Sequence, residues 1–385
     1  METQEQKRVE LKKAVSLEGF VALGALLLFF IYLGGKLGAQ KLINSIFAIS
    51  FHLLINTCFY IMAIAVIAGA LGAFLTEFGI LSIFNKLLSP LMYPLYRLPG
   101  AAAIGVVTTF ISDNPAILTL ASDRRFKSMF KRYQLPALTN LGTSFGMGLI
   151  VIAFMIGLPQ LNFFMAVCMG FLGACVGSVI STRLMVRSCR KYYKDDADKP
   201  AVSVEEDDFD VFEYRAVRPG NFGSRFIAAL LEGGEAGVNV GMSIIPGVLV
   251  ICTLITLLTN QPDAELPGVA LIPFLASKIE FLIKPLFGFT SGACISVPLT
   301  ALGSAGAAIG IVPNLVDQGL AGPNDIAVFT AMCMCWSGYL STHVAMMDNL
   351  KLRELTGSAI KAHTIGGLAG GVAAHWLYIL AASIF

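Results

Sequence analysis

The sequence predicts an all-α membrane protein built from two inverted-topology repeats, with re-entrant hairpins and interrupted helices. Apolar residues make up 56% of the 385 residues and charged residues only 14%, and the mean hydropathy is +0.75. A soluble domain carries roughly 25% charged residues, so membrane spans of about 20 residues account better for this length. A Pro- and Gly-rich apolar region occurs once before a charged linker and once after it.

The charges of the loops indicate how the two halves are oriented. Loop 123–132 is basic, whereas loop 313–325 contains Asp317 and Asp325 and neither Lys nor Arg. Lys and Arg stay preferentially on the cytoplasmic side of a membrane. Two similar halves with opposite loop charges are therefore predicted to be inserted upside down relative to each other, an arrangement typical of secondary transporters.

The first half begins with a polar, basic tail that we place in the cytoplasm, and residues 1–50 comprise this tail and the first transmembrane helix. Residues 51–186 form the first repeat. Within it, residues 86–121 are predicted to form a re-entrant hairpin with a broken helix, because Pro115 removes a backbone hydrogen bond. The membrane spans predicted in this half are Leu17–Leu33, Leu53–Phe74, Pro136–Ile156 and Phe163–Val186.

Residues 187–224 form the only long polar stretch, whose basic start indicates a cytoplasmic linker. The second repeat covers residues 225–385. It is predicted to contain an amphipathic helix, an outward span, a broken Gly- and Pro-rich region and two further spans. In chain order these elements are Arg225–Ala236, Val238–Leu258, 267–310, Ile326–Met346 and Thr364–Ile384.

Residue similarity between the repeats is weak and leaves the register open. Leu87–Leu91 resembles Leu282–Leu286, and Ile111–Pro115 resembles Ile295–Pro298 with one residue missing. A rival register pairs the segment 100–105 with 306–310. These registers are incompatible without sizeable gaps, so the sequence predicts the architecture but no residue-by-residue correspondence.

The sharpest chemical signal in the first half is Ser112-Asp113-Asn114, directly before Pro115. An ionisable side chain at membrane depth costs about 2.5–3.5 kcal/mol and indicates a functional site. At a helix break, polar side chains and exposed backbone groups bind solutes and ions. The alternative is a helix cap, which favours these same residue types.

Five further residues complete the predicted substrate site. Asn140 and Thr143 lie on a polar face of the third span, although small residues there also allow close helix packing. Cys294, Ser296 and Ser337 are the predicted counterparts from the second half, and we expect both sets to meet near the midplane.

A metal site is not predicted, although soft ligands are present in the second half. Cys294, Cys333 and His343 with nearby methionines would suit a soft metal. However, Cys333 and Cys335 lie two positions apart and therefore point to different faces of a helix. Structural packing is the simpler role for these cysteines, and a proton relay through His343 is the alternative for the histidine.

At the Pro-containing break the chain resembles a known family. The segment Thr109–Leu118 looks like the gate segment of the nucleoside-recognition (Gate) membrane domain, and Gly292–Pro298 looks similar to its second copy. That domain occurs in B-type ferrous-iron transporters, in spore maturation proteins A and B, and in relatives of concentrative nucleoside transporters. The resemblance implies inverted repeats, re-entrant hairpins and interrupted helices, without implying nucleosides as the cargo.

Two departures separate this chain from the ferrous-iron version, which typically has Gly-Cys-x-x-Pro. The first copy has Ser112 in the place of the cysteine, and the second has one more residue between Cys294 and Pro298. The GTPase domain of the iron transporters is also absent from this sequence. Both differences argue against iron as the transported species.

The sequence thus predicts a multi-pass protein of the bacterial inner membrane, with the N-terminus and linker in the cytoplasm. The expected function is secondary transport of a small polar solute, nucleoside-like or an organic anion, coupled to a proton or cation. A divalent metal-ion permease and a non-transporting assembly factor of the spore-maturation type are the alternatives.

Enzymatic activity and a resident cofactor or metal are not expected, because no Walker loop, zincin motif or dinucleotide fingerprint occurs. The expected partners are membrane lipid and the solute with its coupling ion. The net charge of +2 gives no indication of nucleic acid. A homo-oligomer is left open.

Overall fold

The computed structural model describes residues 14–112, 117, 124–158, 163–202 and 217–384. These residues form helices and no strand. Six helical stretches among them are long and apolar enough to cross a membrane, or seven if the bent pair Glu280–Phe287 and Gly292–Ala301 counts as one span. The all-α, multi-pass architecture predicted from the sequence is confirmed.

The first half consists of long spans around a set of shorter helices. A π-helical turn, Leu53–Cys58, joins α2 to α3, so these elements form one continuous helix. In chain order the helices are α1 Leu17–Leu37, α2 Ala39–His52, α3 Phe59–Glu77, α4 Ile80–Tyr96, α5 Ala102–Ile111, α6 Arg124–Ser128, α7 Gln134–Thr143, α8 Gly148–Ile156 and α9 Phe164–Tyr193.

The second half contains a similar series of elements. The π-helical turn Val248–Cys252 joins α10 to α11, and the 3₁₀ turn Gly292–Ile295 precedes α14. The helices are α10 Phe222–Gly247, α11 Thr253–Thr259, α12 Leu271–Lys278, α13 Glu280–Phe287, α14 Ser296–Ala301, α15 Ala305–Asp317, α16 Pro323–Trp336, α17 Tyr339–Asn349 and α18 Thr356–Ile384.

Two helix boundaries differ from the sequence prediction. The predicted amphipathic helix Arg225–Ala236 and the span Val238–Leu258 are parts of one helical stretch, Phe222–Thr259. Gly237 between them does not end the helix, because its missing side chain allows α3 to approach closely instead. Residues 86–96 belong to the separate helix α4, so the described part of the first hairpin begins at α5.

Two spans predicted to be continuous are interrupted. Pro136–Ile156 is divided between α7 and α8, and Ile326–Met346 between α16 and α17. Met147, with φ 56°, lies at the first break, and Gly338, with φ 67°, lies at the second. A left-handed residue cannot continue a right-handed helix, so the series of i to i−4 hydrogen bonds ends there.

The structure resolves the register between the two halves. The left-handed residues Met147 and Gly338 are separated by 191 positions, as are Arg97 and Gly288, which end α4 and α13 with φ 62° in both cases. Helices α9 and α18 are related by the same separation. It holds to within one residue for both the first and the last residue of the two helices. None of the registers considered from sequence similarity has this separation, so all of them are wrong.

The helix caps follow the same register. Gln134 at the start of α7 accepts a hydrogen bond from the backbone nitrogen of Lys131 at 3.0 Å. Asp325, its counterpart in α16, accepts one from the backbone nitrogen of Gly322 at 2.9 Å. From α4 and α12 onward, these caps, helix ends and breaks share one separation, which supports a repeated arrangement of the two halves.

Corresponding helices of the two copies pack antiparallel. A Cβ built on Gly173 of α9 would lie 2.7 Å from the Cβ of Ala374 in α18, and one on Gly177 would lie 2.6 Å from the carbonyl oxygen of Gly366. Residue numbers therefore increase along α9 in the direction in which they decrease along α18, so the two helices run antiparallel. This packing supports the inverted relation of the repeats that the loop charges predict.

The pair formed by α3 and α10, which we call the scaffold pair, is also antiparallel and is closed by ion pairs at one end. Arg225 bonds the Glu77 carboxylate at 2.7 Å, and Arg218 reaches the same carboxylate at 3.3 Å. Arg218 also bonds Glu232 at 2.8 Å. Because Arg218 lies within the predicted linker, residues 187–224, and Arg225 directly follows it, this end of the scaffold pair is the linker end.

Candidate functional site

The hairpin of the second half, formed by α14 and α15 with its tip at residues 302–304, rests against the break between α16 and α17. The backbone nitrogen of Gly338 donates to the carbonyl oxygen of Ala301 at 2.9 Å. A Cβ on Gly338 would lie only 2.9 Å from the carbonyl oxygen of Gly303. Ser304 caps α15 by accepting a hydrogen bond from the Ala307 nitrogen at 3.2 Å. The tip and the break therefore form one unit.

The first half shows the matching contact. At the start of α8, directly after the other break, a Cβ on Gly148 would contact the Phe110 ring, with Cε2 at 2.7 Å, and would lie 3.1 Å from the Met334 methyl group. Phe110 is the penultimate residue of α5. The end of the first hairpin arm therefore packs on the break of its own half, close to α16 of the other half.

Ser112 is the last described residue of this arm before a gap. Its hydroxyl donates to the carbonyl oxygen of Thr108 at 2.6 Å, which closes the end of α5. Asp113 and Asn114, the strongest predicted binding residues, lie outside the residues that the structure describes. Their contribution stays a prediction.

A cavity of about 320 Å³ lies between Ser112 and the scaffold pair. Its polar lining residues are Thr76, Thr108, Ser112 and Glu232, and its remaining walls are apolar side chains and glycines of α3, α4, α5, α8 and α10. Glu232 also pairs with Arg218, so the cavity lies toward the linker end. Its volume is that of a small-molecule site, for which about 300–1,000 Å³ is usual.

Asn140 lies in an interface between helices and not on the wall of this cavity. Its amide nitrogen donates to the Ser181 hydroxyl and to the carbonyl oxygen of Ala359, each at 3.0 Å. Ser181 is 3.0 Å from Nδ1 of His363, whose Nε2 bonds the carbonyl oxygen of Cys335. With a neutral imidazole, Nε2 donates to that carbonyl and Nδ1 accepts from Ser181. The chain of hydrogen bonds thus runs from α7 to the end of α16.

His343 lies beside this network without joining it. It is fully buried, and neither ring nitrogen has a hydrogen-bond partner among the described residues. Its ring packs perpendicular to that of His363, with the ring centroids 4.7 Å apart. The two histidines therefore differ in hydrogen bonding although both are buried at the same interface.

This difference gives a matched pair of variants. We expect His363→Phe to lower the free energy of unfolding by about 2–3 kcal/mol more than His343→Phe. His363→Phe leaves buried groups of Ser181 and Cys335 without their partner, whereas His343→Phe removes no hydrogen bond. Denaturant unfolding of both purified variants in detergent measures the difference, and equal losses would contradict the assigned network.

The remaining predicted site residues are distributed over three places. Thr143 bonds the Thr139 carbonyl oxygen at 2.8 Å and is buried in α7. Cys294 donates to the Leu320 carbonyl oxygen at 3.2 Å, and Ser296 donates to that of Ala293 at 2.6 Å, so both lie at the entrance of the second hairpin. Ser337 lies at the break itself. Ser337 thus directly precedes Gly338, which contacts the hairpin tip, and the binding roles of all four residues stay predictions.

Gly303 and Ser304, which are not among the predicted site residues, form the hairpin tip, whereas the predicted Cys294 and Ser296 precede it. The signal for them was a glycine followed by a favoured N-cap residue directly before a helical run. The acidic group of this half that is most fully enclosed was also missed. Asp325 is completely buried, and it bonds the Thr290 hydroxyl at 2.5 Å and the Thr290 nitrogen at 2.9 Å.

The residues considered for a metal are not grouped. Among the described residues, no three His, Cys, Asp or Glu side chains are placed to hold one ion. Cys333 is buried within α16, whereas Cys294 bonds a carbonyl near the start of that helix. The metal alternative therefore gains no support from this geometry.

Comparisons with known proteins agree with this architecture. Residues 58–159 match the family model Gate, described as nucleoside recognition. This match includes the segment Thr109–Leu118 and confirms the resemblance to the Gate family. No curated protein sequence matches the chain significantly.

Solved structures of the protein CNTnw share the fold. Its inward-facing, substrate-bound structure is 14% identical and aligns over 94% of this chain and 87% of that chain, with a TM-score of 0.50. A CNTnw variant in an intermediate state is 13% identical over 94% and 86% of the chains, with a TM-score of 0.52. A second intermediate gives 13% identity, 93% and 85% coverage and a TM-score of 0.52. Identities this low establish similarity of fold.

Proposed function

We propose that this protein is a secondary transporter of a small polar solute of the nucleoside-like class, coupled to a proton or cation. The observation that carries the proposal is the repeated contact between a hairpin end and a helix break, at Gly338 in one half and Gly148 in the other. Non-helical backbone at membrane depth requires protein or water to satisfy its polar groups. Discontinuous helices of this kind form the substrate and ion sites of secondary transporters.

The cavity beside Ser112 is the proposed solute site. Thr76, Thr108 and Ser112 offer hydroxyl groups, and Glu232 offers a carboxylate, on otherwise apolar walls. A few polar groups in an apolar cavity are the usual composition of a small-molecule site. The family model described as nucleoside recognition favours a nucleoside-like solute over other polar solutes.

Asp113 and Asn114 are proposed to complete this site, since they directly follow Ser112 in sequence. In the register of the repeats, Asp113 corresponds to Ser304, the residue that caps the second arm of the other hairpin. A carboxylate at that position would bind the coupling proton or cation. The Asn114 amide and the hydroxyl groups would orient the solute.

Transport requires the solute site to open alternately to the two sides of the membrane. The scaffold pair is held together along its length by close glycine contacts and at its end by the Glu77 ion pairs. The hairpins and broken helices form the other group. We propose that this second group moves against the scaffold pair and carries the solute with it.

Uptake into proteoliposomes tests the proposal directly. We expect Asp113→Asn combined with Asn114→Ala to reduce uptake of radiolabelled uridine at least about tenfold, because it removes the coupling carboxylate and the orienting amide. The matched control is Asp195→Asn combined with Asn349→Ala, at two exposed positions outside the cavity. Unchanged uptake in the first variant, or equal loss in both, would refute the assignment.

Ligand screening separates the proposed function from its alternatives. A solute that binds the native protein raises its unfolding temperature by mass action. We expect nucleosides to do so in detergent-solubilised protein, with organic anions and divalent metals as comparison sets. Stabilisation by metals alone would favour a metal permease, and a stoichiometric co-purifying protein without any stabilising solute would favour an assembly factor.

The membrane orientation belongs to the same proposal. The linker and N-terminus are placed in the cytoplasm by their basic residues, and the loop that contains Asp263 and Glu265 is placed outside. A bacterial inner membrane is the proposed location. Labelling of single cysteines introduced in the linker and in loop 261–265, in intact and permeabilised cells, tests this orientation.

A further inference from the structure

A second cavity, of about 570 Å³, lies against residues 49–57 of the continuous α2–α3 helix, about 30 Å along that helix from Glu77. Its walls come from the end of α2, the π turn that follows it, α11, the loop after α11, and α15. It is separate from the proposed solute site, with which it shares no lining residue. Its position places it on the face away from the linker.

The mouth of this cavity is acidic. Asp263, Glu265 and Asp317 line it together with His52, and no Lys or Arg is among its described lining residues. All three acidic residues are exposed to solvent. A concave surface lined by charges of one sign concentrates ions of the opposite sign.

The inner wall carries two hydroxyl groups that the fold does not use. Thr57 and Thr256 both line the cavity and are each only 5% exposed. Neither side chain forms a hydrogen bond with another residue in the described part of the chain. Neither hydroxyl oxygen is among the fully enclosed unpaired atoms of the described residues, so both are open to the cavity and available to a ligand.

The spacing of the acidic groups decides between a metal ion and an organic cation. No three metal-ligating side chains of the described residues are close enough to hold one ion, and Ca²⁺ or Mg²⁺ needs oxygen ligands within about 2.0–2.6 Å. A linear molecule with several ammonium groups can reach carboxylates that are farther apart. It can also place an amine beside the inner hydroxyl groups.

We propose that this cavity binds a linear polyamine, with its ammonium groups on the carboxylates of Asp263, Glu265 and Asp317 and one end at the hydroxyl groups of Thr57 and Thr256. One wall is an arm of the second hairpin, and the others belong to helices continuous with the scaffold pair. A bound polyamine therefore bridges the two groups and stabilises their present arrangement. Given the proposed transport, occupancy slows uptake, whereas binding itself does not depend on that function.

Isothermal titration of the full chain in zwitterionic detergent, with spermidine as the probe, tests the site. We expect one spermidine per chain at low ionic strength. Asp263→Asn combined with Glu265→Gln should weaken binding about tenfold through the loss of two attractive charges. The control, Asp195→Asn combined with Glu354→Gln, makes the same change in net charge at exposed positions outside the cavity and should leave binding unchanged.

A second pair of variants tests the inner wall without changing any charge. Thr57→Val and Thr256→Val should each weaken spermidine binding about fivefold, because each removes one hydrogen bond of about 1 kcal/mol. Equal weakening by both charge variants would show non-specific attraction and overturn the proposal. Unaltered binding in both valine variants, complete displacement by equimolar Mg²⁺, or no heat of binding would also overturn it.

The outcomes for the two sites are distinguishable. Spermidine binding without uridine uptake would sustain this site and contradict the proposed transport of nucleoside-like solutes. Uridine uptake without spermidine binding would sustain the proposed transport and contradict the spermidine site. Inhibition of uptake by spermidine in the wild type, lost in Asp263→Asn combined with Glu265→Gln, is the result expected when both proposals hold.

Discussion

Replacement of Gly237 by alanine is expected to destabilise the protein by about 3 kcal/mol or more. Gly237 lies where α10 crosses α3 most closely, and an added Cβ would be 2.5 Å from the Ala65 carbonyl carbon and 2.5 Å from the Val66 Cα. Both are backbone atoms, so no side-chain rotation relieves the contact. The two helices must separate, and the contacts around Gly233 and Gly241 are lost with them.

The control for this prediction is one turn away on the same helix. A Cβ on Gly234 would meet only the Val66 side chain, at an ordinary distance of 3.6 Å. Gly234→Ala should therefore stabilise the helix, by up to about 1 kcal/mol, because alanine has the higher helix propensity. Denaturant unfolding in detergent compares the two variants. Equal stability would mean that α3 and α10 are not packed as closely as the structure indicates.

Gly338→Ala is expected to have the second largest effect, on both stability and uptake. Gly338 has φ 67°, and its added Cβ would be 2.9 Å from the carbonyl oxygen of Gly303 at the hairpin tip. The tip has to move, which weakens the hydrogen bond from the Gly338 nitrogen to Ala301. We expect a loss of about 2–3 kcal/mol in stability and a substantial loss of uridine uptake.

The variant Gly319→Ala separates the effect of the contact between residue 338 and Gly303 from the effect of a left-handed backbone conformation. Gly319 has φ 68°, but an added Cβ there would meet nothing within 4 Å. The two variants therefore share the cost of a left-handed alanine, about 1 kcal/mol, and differ only in the approach to Gly303. If both lowered stability and uptake equally, the hairpin tip would have no functional contact with the break.

Much of the fold was predictable because its causes are local. Long apolar segments such as Phe163–Thr182 contain no charged residue, and in lipid such a segment can only be a helix. The Pro- and Gly-rich regions and the loop charges predicted a repeated architecture before any contact was known. The composition likewise excluded a soluble protein.

The register and the helix breaks were not predictable from local sequence. No proline marks the break at Ser337-Gly338 or the one before Gly148, so both segments resemble continuous spans. The register depends on structural features that do not require identical residues, such as the left-handed ends at Arg97 and Gly288. Short similarities such as Ile111–Pro115 with Ile295–Pro298 were therefore misleading.

The residues of the candidate site were likewise only partly predictable from the sequence. Ser112 was recognised as a site residue because a polar group beside a break is rare in an apolar segment, and it lies on a cavity. Asn140 has the same sequence signature, but its amide bonds Ser181 and Ala359 from distant helices. Only its neighbours in space distinguish a cavity residue from a packed one.

The sequence by itself determined that this chain is a helical membrane protein with two related halves, since hydrophobicity and charge act residue by residue along the chain. The tertiary structure decided where the spans break and which polar groups meet. The break at Gly338 depends on a hairpin tip whose Gly303 lies 35 residues earlier, and that contact forms only when the helices pack.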